Sequence, residues 1–385
     1  MPGFELIGEE EFLEVKELFD KSRILFRHGF DQQRNGIYKV RDFEQAFARY
    51  MGTERALAVT SGTAALRVAL AALDIERGDE VITQSFTFVA TAEAIIESGA
   101  TPIITEVDDT LNMDPADLKK KITSRTKAVI VVHMLGTPAR MSEILPIVRE
   151  KGLIVIEDTA WGCGGELNGK RLGTIGDIGT FSFDFAKTMT TGEGGMIITY
   201  HPSIHDRAAA YHDHGHENNP NLPRWEDSRQ GSGFNYRMNE LQGAVGLAQL
   251  RKLDQVVEAQ RENCSMIMDH LRDFRNLQFR TEPEGSNGTA DALVFFVDSG
   301  QQANNCRKAL LEAGLGTKIL PEAITWHFAG TWTHMPELIT FHPNLAEAFP
   351  RSKSWLDRSV ALPITVKMDP DLPRRIADVL KHVLV

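Results

Sequence analysis

One lysine stands apart in the run Phe181–Met196, FSFDFAKTMTTGEGGM. Lys187 lies among aromatic and small residues, with Asp184 the nearest acid before it. A desolvated ammonium is costly unless paired or neutralised, so an amine between a strand-like GTFSF and a Gly-rich TGEGG is placed for chemistry. Three other features are of a kind with it. Ser61, Gly62 and Thr63 in VTSGTAAL fall between a strand and a helix, where free N–H groups and the helix dipole attract phosphate; a plain turn is the alternative. Asp158 ends the apolar run LIVIED, at the carboxyl edge of a strand where open α/β sheets put ligands; capping the next helix is the alternative. Phe88 in SFTFVAT can stack on a planar ring or fill core, and Ser182 lies five residues before the lysine. A phosphate cradle, a buried acid, a flat aromatic and an isolated amine are together what pyridoxal 5'-phosphate (PLP) requires: anchor, partner for the pyridine nitrogen, ring stacker and Schiff-base lysine.

The elements that must position these residues follow from periodicity. From Ala56 onward, strand-like runs (ALAVT, EVITQ, PIITEV, AVIVVHM, LIVIED) alternate with helical patterns, which implies a parallel sheet covered on both faces. Asp114 before Pro115 is a helix start and Gly152 a helix stop,. After residue 200 comes a His- and Asn-rich loop, then long helices, the strand ALVFFV and a final helix. We expect an α/β large domain with an N-terminal segment over 1–251 and a smaller C-terminal α+β domain over 252–385, the boundary falling inside a continuous helix.

Composition narrows the function. The 385 residues carry 53 acidic against 42 basic side chains, a net charge of −11, which argues against general nucleic-acid binding. Cys163, Cys264 and Cys306 form no CxxC pair, and the acidic start MPGFELIGEEEFLEV is no export signal,. No apolar run is long enough for a membrane span. The expectation is a cytoplasmic protein without metal: His212, His214, His216 and Glu217 sit in a Gly/Asn-rich loop that reads as solvated or sugar-contacting. A dehydrogenase would share the sheet, but no G-x-G-x-x-G follows the first strand.

The ordered motifs SGTAAL, FTFVAT, IEDTAWGCGG, GTIGDIGTFSFDFAKTMTTGEGG and FNYRMNELQGAVGLAQLRKLD strongly resemble the DegT/DnrJ/EryC1/StrS family of PLP-dependent sugar aminotransferases, of PLP fold type I. The resemblance implies that Gly62, Thr63 and Ser182 bind the phosphate, Phe88 stacks on the pyridine, Asp158 pairs with its nitrogen and Lys187 bonds to the cofactor. It implies a homodimer with shared sites, Asn235 reaching the neighbouring subunit's phosphate. Family dehydratases carry His at the lysine position, so Lys187 implies amino transfer. Trp161 departs from the Gln or His usual three residues after the acid; an indole donates a hydrogen bond but accepts none.

Substrate residues are read more loosely. Glutamate or glutamine is the amino donor by likeness, with Arg237 the candidate for its carboxylate or else a structural partner of Glu240. Arg27, His28 and Arg34 in LFRHGFDQQRN, and His214, are candidates for the acceptor, a keto or aldehyde sugar. MPGFEL, FRHGFDQQRN, HDHGHE and TWHFAGTWTHM are similar to the branch that aminates an oxidised 3-deoxy-octulosonate (Kdo) at C8. A nucleotide-linked keto-hexose is the alternative acceptor, and a non-catalytic PLP-binding regulator the alternative function.

Overall fold

A computed structural model describes residues 2–219 and 221–384. Seven strands form the central sheet: β1 Ala56–Val59, β2 Glu80–Gln84, β3 Thr101–Thr105, β4 Thr126–Val132, β5 Ile154–Asp158, β6 Ile178–Ser182 and β7 Gly195–Thr199. Their order is β1-β7-β6-β5-β4-β2-β3. Only β7 runs antiparallel to its neighbours, β1 and β6; the remaining pairings are parallel. The strands read as nearly unbroken apolar runs because both faces are covered. On one face the helices Gly62–Ala72 and Ala90–Glu97 pack through Leu66, Leu70 and Ile95. On the other, the helix Lys39–Met51 and the long helix Glu240–Leu271 enclose Phe43, Phe47, Phe181 and Leu253.

Local signals set the boundaries. Asp114 accepts from the N–H groups of Ala116 and Asp117 to start the helix Pro115–Lys121. Asn239 caps the long helix in a reciprocal box with Gln242,. That helix passes without a break through residues 251 and 252. Beyond it, β8 Gln278–Phe279, β9 Ala292–Phe296 and β10 Ser359–Pro363 form an antiparallel sheet. The helices Gly300–Glu312 and Leu372–Lys381 cover it around Phe295, Cys306, Leu310 and Ile376. The inner face of the same sheet joins a second core, in which Val294 and Phe296 meet Phe86 and Trp161. This shared core fixes the C-terminal part against the strand ends that carry the site.

Two connections reach that site from far away in the chain. The Gly3 N–H donates to the carbonyl of Lys187 at 3.1 Å, and a Cβ at Gly3 would lie 2.8 Å from Met189 Cα, so only glycine lets the N-terminal turn approach. Residues 326–329 pair with the 85–89 loop: Thr87 N–H donates to His327 O, Val89 N–H to Trp326 O and Ala329 N–H to Ser85 O. The next helix starts at Ala90 beyond these contacts. No helix among the described residues is long and apolar enough to cross a membrane.

Candidate active site

At the carboxyl ends of β5 and β6 a cavity of about 350 Å3 opens. Ser61, Gly62 and Thr63 line it from the start of the helix Gly62–Ala72, Phe88 from the loop after β2, Asp158 and Trp161 from the end of β5, and Ser182 and Lys187 from the end of β6. Eight sequence-predicted residues therefore converge on one volume, of the size that small-ligand sites occupy.

The cradle is built by close approach. Ser61 caps the helix, its Oγ accepting from Ala64 N–H at 3.1 Å, which leaves the other first-turn N–H groups without intrahelical acceptors. A Cβ at Gly62 would stand 2.7 Å from Ser182 Cβ, so the helix N-terminus and the Ser182 hydroxyl share one small anion-sized corner.

Across the cavity sit the two groups able to move or hold a proton. Asp158 is buried; its Oδ1 accepts from Ala160 N–H at 3.2 Å and its Oδ2 from the Thr91 hydroxyl at 3.1 Å. The local turn contact expected of a cap is thus present, but it uses one oxygen only. Burial pushes the carboxyl pKa up, the condition of an acid that stays ionised only beside a cation. Burial likewise pushes the Lys187 amine down, with Asp184 opposing the shift from 3.7 Å. Lys187 Nζ lies 3.3 Å from the centroid of the Trp161 ring.

One wall of the site was missing from the sequence reading. His327 is buried, its Nδ1 at 3.1 Å from Ala323 O, and burial holds its pKa down at about 4. It therefore packs as a neutral ring between Phe88 and Trp161, with centroids 5.4 Å and 6.4 Å away. Trp326 stacks on Phe88 at 6.2 Å and 24°. Thr91 also escaped notice. The residues were in plain view in TWHFAG and FVAT; what could not be read was the pairing across the chain that brings the first to the second.

The substrate candidates behave differently, and none of Arg27, His214, Asn235 and Arg237 lines the cavity of its own chain. Arg27 is engaged by Glu44 at 2.6 Å and Ala58 O at 3.3 Å. Arg34 is a correction: it is fully buried, held by Glu240 at 3.1 Å and by the carbonyls of Phe26 and Gly29, so it faces no substrate. Arg237 therefore finds a different acid from the Glu240 expected of it, pairing with Asp213. Burial alone would raise the pKa of Asp213, but the His28 ring at 3.2 Å and hydrogen bonds from the Arg224 guanidinium hold it far below the usual carboxylate range. His214 and Asn235 are exposed. The loop histidines do not converge: His212 points to Ala209 O and His216 to Asp227. Among the described residues no group of three or more His, Cys, Asp or Glu could hold a metal ion.

The cavity fits PLP on its own features: an anion corner that a Cβ at Gly62 would fill, a buried acid lacking a cation, and a buried amine. Known proteins agree. The chain is 42% identical over 224 residues to GDP-perosamine synthase of Escherichia coli O157:H7, a stretch covering 58% of this chain and 60% of that protein. It is 39% identical over 267 residues to dTDP-4-dehydro-2,3,6-trideoxy-D-glucose 4-aminotransferase of Saccharopolyspora spinosa, covering 67% of each chain. Its fold matches the aminotransferase structure from Psychrobacter cryohalolentis with a TM-score of 0.86 at 26% identity, over 98% of this chain and 97% of that one. The DegT/DnrJ/EryC1/StrS aminotransferase family model matches residues 17–381. With a mostly parallel sheet carrying a lysine, an acid and a phosphate cradle at its carboxyl edge, this chain belongs to the DegT/DnrJ/EryC1/StrS aminotransferase family, whose cofactor is PLP and whose fold is PLP type I.

Proposed function

We propose that the chain moves an amino group from glutamate or glutamine to a keto or aldehyde sugar, with an oxidised 3-deoxy-octulosonate as the acceptor. The convergence of the Lys187 amine and the Asp158 carboxylate on one cavity with a helix N-terminus beside it carries the aminotransferase reading. Gly62, Thr63 and Ser182 would hold the phosphate, Phe88 and Trp161 the ring, and Asp158 the ring nitrogen in its protonated form. Bound there, PLP supplies an aldehyde that bonds to amines and a ring that withdraws electrons from a carbon losing its proton. Lys187 Nζ then takes the proton from the donor's α carbon and carries it across the cavity. Its burial favours the neutral amine needed for the first of these acts,.

The octulosonate reading rests on four segments similar to that branch, MPGFEL, FRHGFDQQRN, HDHGHE and TWHFAGTWTHM, of which the first and last pack beside the site. One carries Gly3 against the Lys187 carbonyl, and the other sets Trp326 and His327 against Phe88. Both segments pack against residues that line the cavity, Lys187 and Phe88. A nucleotide-linked keto-hexose is the second reading, favoured by the S. spinosa relative, whose name specifies a dTDP-linked dehydro sugar. Arg237, Arg27 and His214 are proposed for substrate carboxylate and hydroxyl groups, and exposed Asn235 for the neighbouring subunit's phosphate, which makes the functional unit a homodimer.

Absorbance of the bound cofactor distinguishes the readings. Glutamate or glutamine is expected to bleach the aldehyde form to the amine form, and the correct acceptor to restore it. Restoration by an 8-oxo octulosonate but by no nucleotide-linked keto-hexose supports the first reading; the reverse supports the second. No bleaching by either donor removes both donor assignments.

A further inference from the structure

A lysine that releases its cofactor and then ferries a proton must hold that proton as a buried ammonium, which is the costly state of this side chain. The groups around Lys187 Nζ are few. Asp184 lies 3.7 Å away but is more than a third exposed, so water screens it. Asp158 lines the same cavity at the end of β5, and the neutral His327 packs beside the Trp161 ring. From just before β9 and from the segment after the helix Gly300–Glu312 come Asp291 and Lys318, ion-paired at 2.7 Å. Lys318 opposes a second positive charge nearby, while Asp291 and Asp158 favour it.

Against this background the indole of Trp161 lies closer to Nζ than the Asp184 carboxylate does. It is buried, and its ring centroid lies 3.3 Å from Lys187 Nζ and 5.2 Å from Lys318 Nζ. A cation over an indole face is attracted by the ring's quadrupole, most strongly when both are desolvated. The face offers no lone pair, so it does not accept a hydrogen bond from the neutral amine as an amide or imidazole does. It favours the charged form over the neutral one, whose N–H···π contact is weak. We propose that Trp161 is a positioning residue that seats the freed Lys187 side chain in its ammonium form, so that the proton in transit stays on the lysine. The proposal rests on reading Lys187 as the proton carrier, yet the contact itself is open to test without turnover.

Competitive acetylation with trace acetic anhydride over pH about 6 to 11, followed by mass spectrometry of the Lys187 peptide, gives the amine's apparent pKa in the cofactor-free, full-length protein. Trp161→Phe, with a weaker π face, and Trp161→Leu, with none, form a graded series. The account expects the pKa to fall in the order Trp, Phe, Leu, by about one pH unit from the first to the last. Lys39, paired with Glu14 and Glu17 at a distance from the site, should not move and so reports an intact fold. An unchanged or raised Lys187 pKa in Trp161→Leu, with Lys39 steady, overturns the proposal. Should Trp161→Leu fail to fold, Trp161→Phe decides alone, an unshifted pKa again refuting it. If Lys187 proves not to be the cofactor lysine, the carrier reading fails while this titration is unaffected, so the two failures are told apart.

Discussion

Lys187→Ala is expected to abolish amino transfer and to leave the fold in place. The substitution would remove both the proposed covalent attachment of the cofactor and the proposed carrier of the proton, and losing such a group costs about 10^4-fold in turnover. Little holds the fold through this side chain. Its amine is buried against Trp161 with only a partly exposed acid beside it, so deleting it removes a desolvated polar group along with its contacts. The melting temperature should stay within about 4 °C of the parent, the change that ~1 kcal/mol makes in a protein larger than 150 residues. Turnover within tenfold of wild type in Lys187→Ala, measured with glutamate and the active acceptor, would remove the lysine from the mechanism.

Asp158→Asn is expected to lower the rate by about 10^3-fold, the scale on which a preorganised charge acts at a reacting centre. An amide keeps the present contacts. Its oxygen accepts from the Ala160 N–H as Oδ1 does now, and its NH2 meets the Thr91 hydroxyl, which can accept as well as donate,. What disappears is the negative charge proposed to keep the cofactor ring nitrogen protonated. A variant that folds, retains PLP and turns over at near-normal rate would reduce Asp158 to a turn cap.

How much of this was legible in the sequence depended on the range of the interaction. The strands β4 and β5 announce themselves because burial on both faces demands uninterrupted apolar residues. The catalytic candidates followed because each occupies the end of such a strand or the start of a helix, and the topology then brings all those ends to one edge. Ion-pair partners were another matter. Arg237 and Glu240 are close in sequence and were natural partners, yet Glu240 takes Arg34 and Arg237 takes Asp213, since a buried acid chooses among cations by three-dimensional approach. For the same reason Arg34, read as a substrate contact, is a structural strut. The aromatic wall of Trp326 and His327 depends on pairing between Phe86 and Phe328, and the N-terminal turn on a space at Gly3. Neither has a local signature. Asn235 is a different case again: its proposed role lies in a neighbouring copy, beyond the reach of one chain's own geometry.

The central claim, that Lys187 is the residue joined to PLP in this cavity, has a direct chemical test. Borohydride reduction of the PLP-loaded protein fixes the linkage irreversibly, and a proteolytic digest then locates the added mass. The account predicts a single modified peptide, the one carrying FDFAKTMTT, with the cofactor on Lys187. A cofactor found on Lys318 or another lysine, or no fixed cofactor on a protein that visibly binds it, would contradict the account at its base.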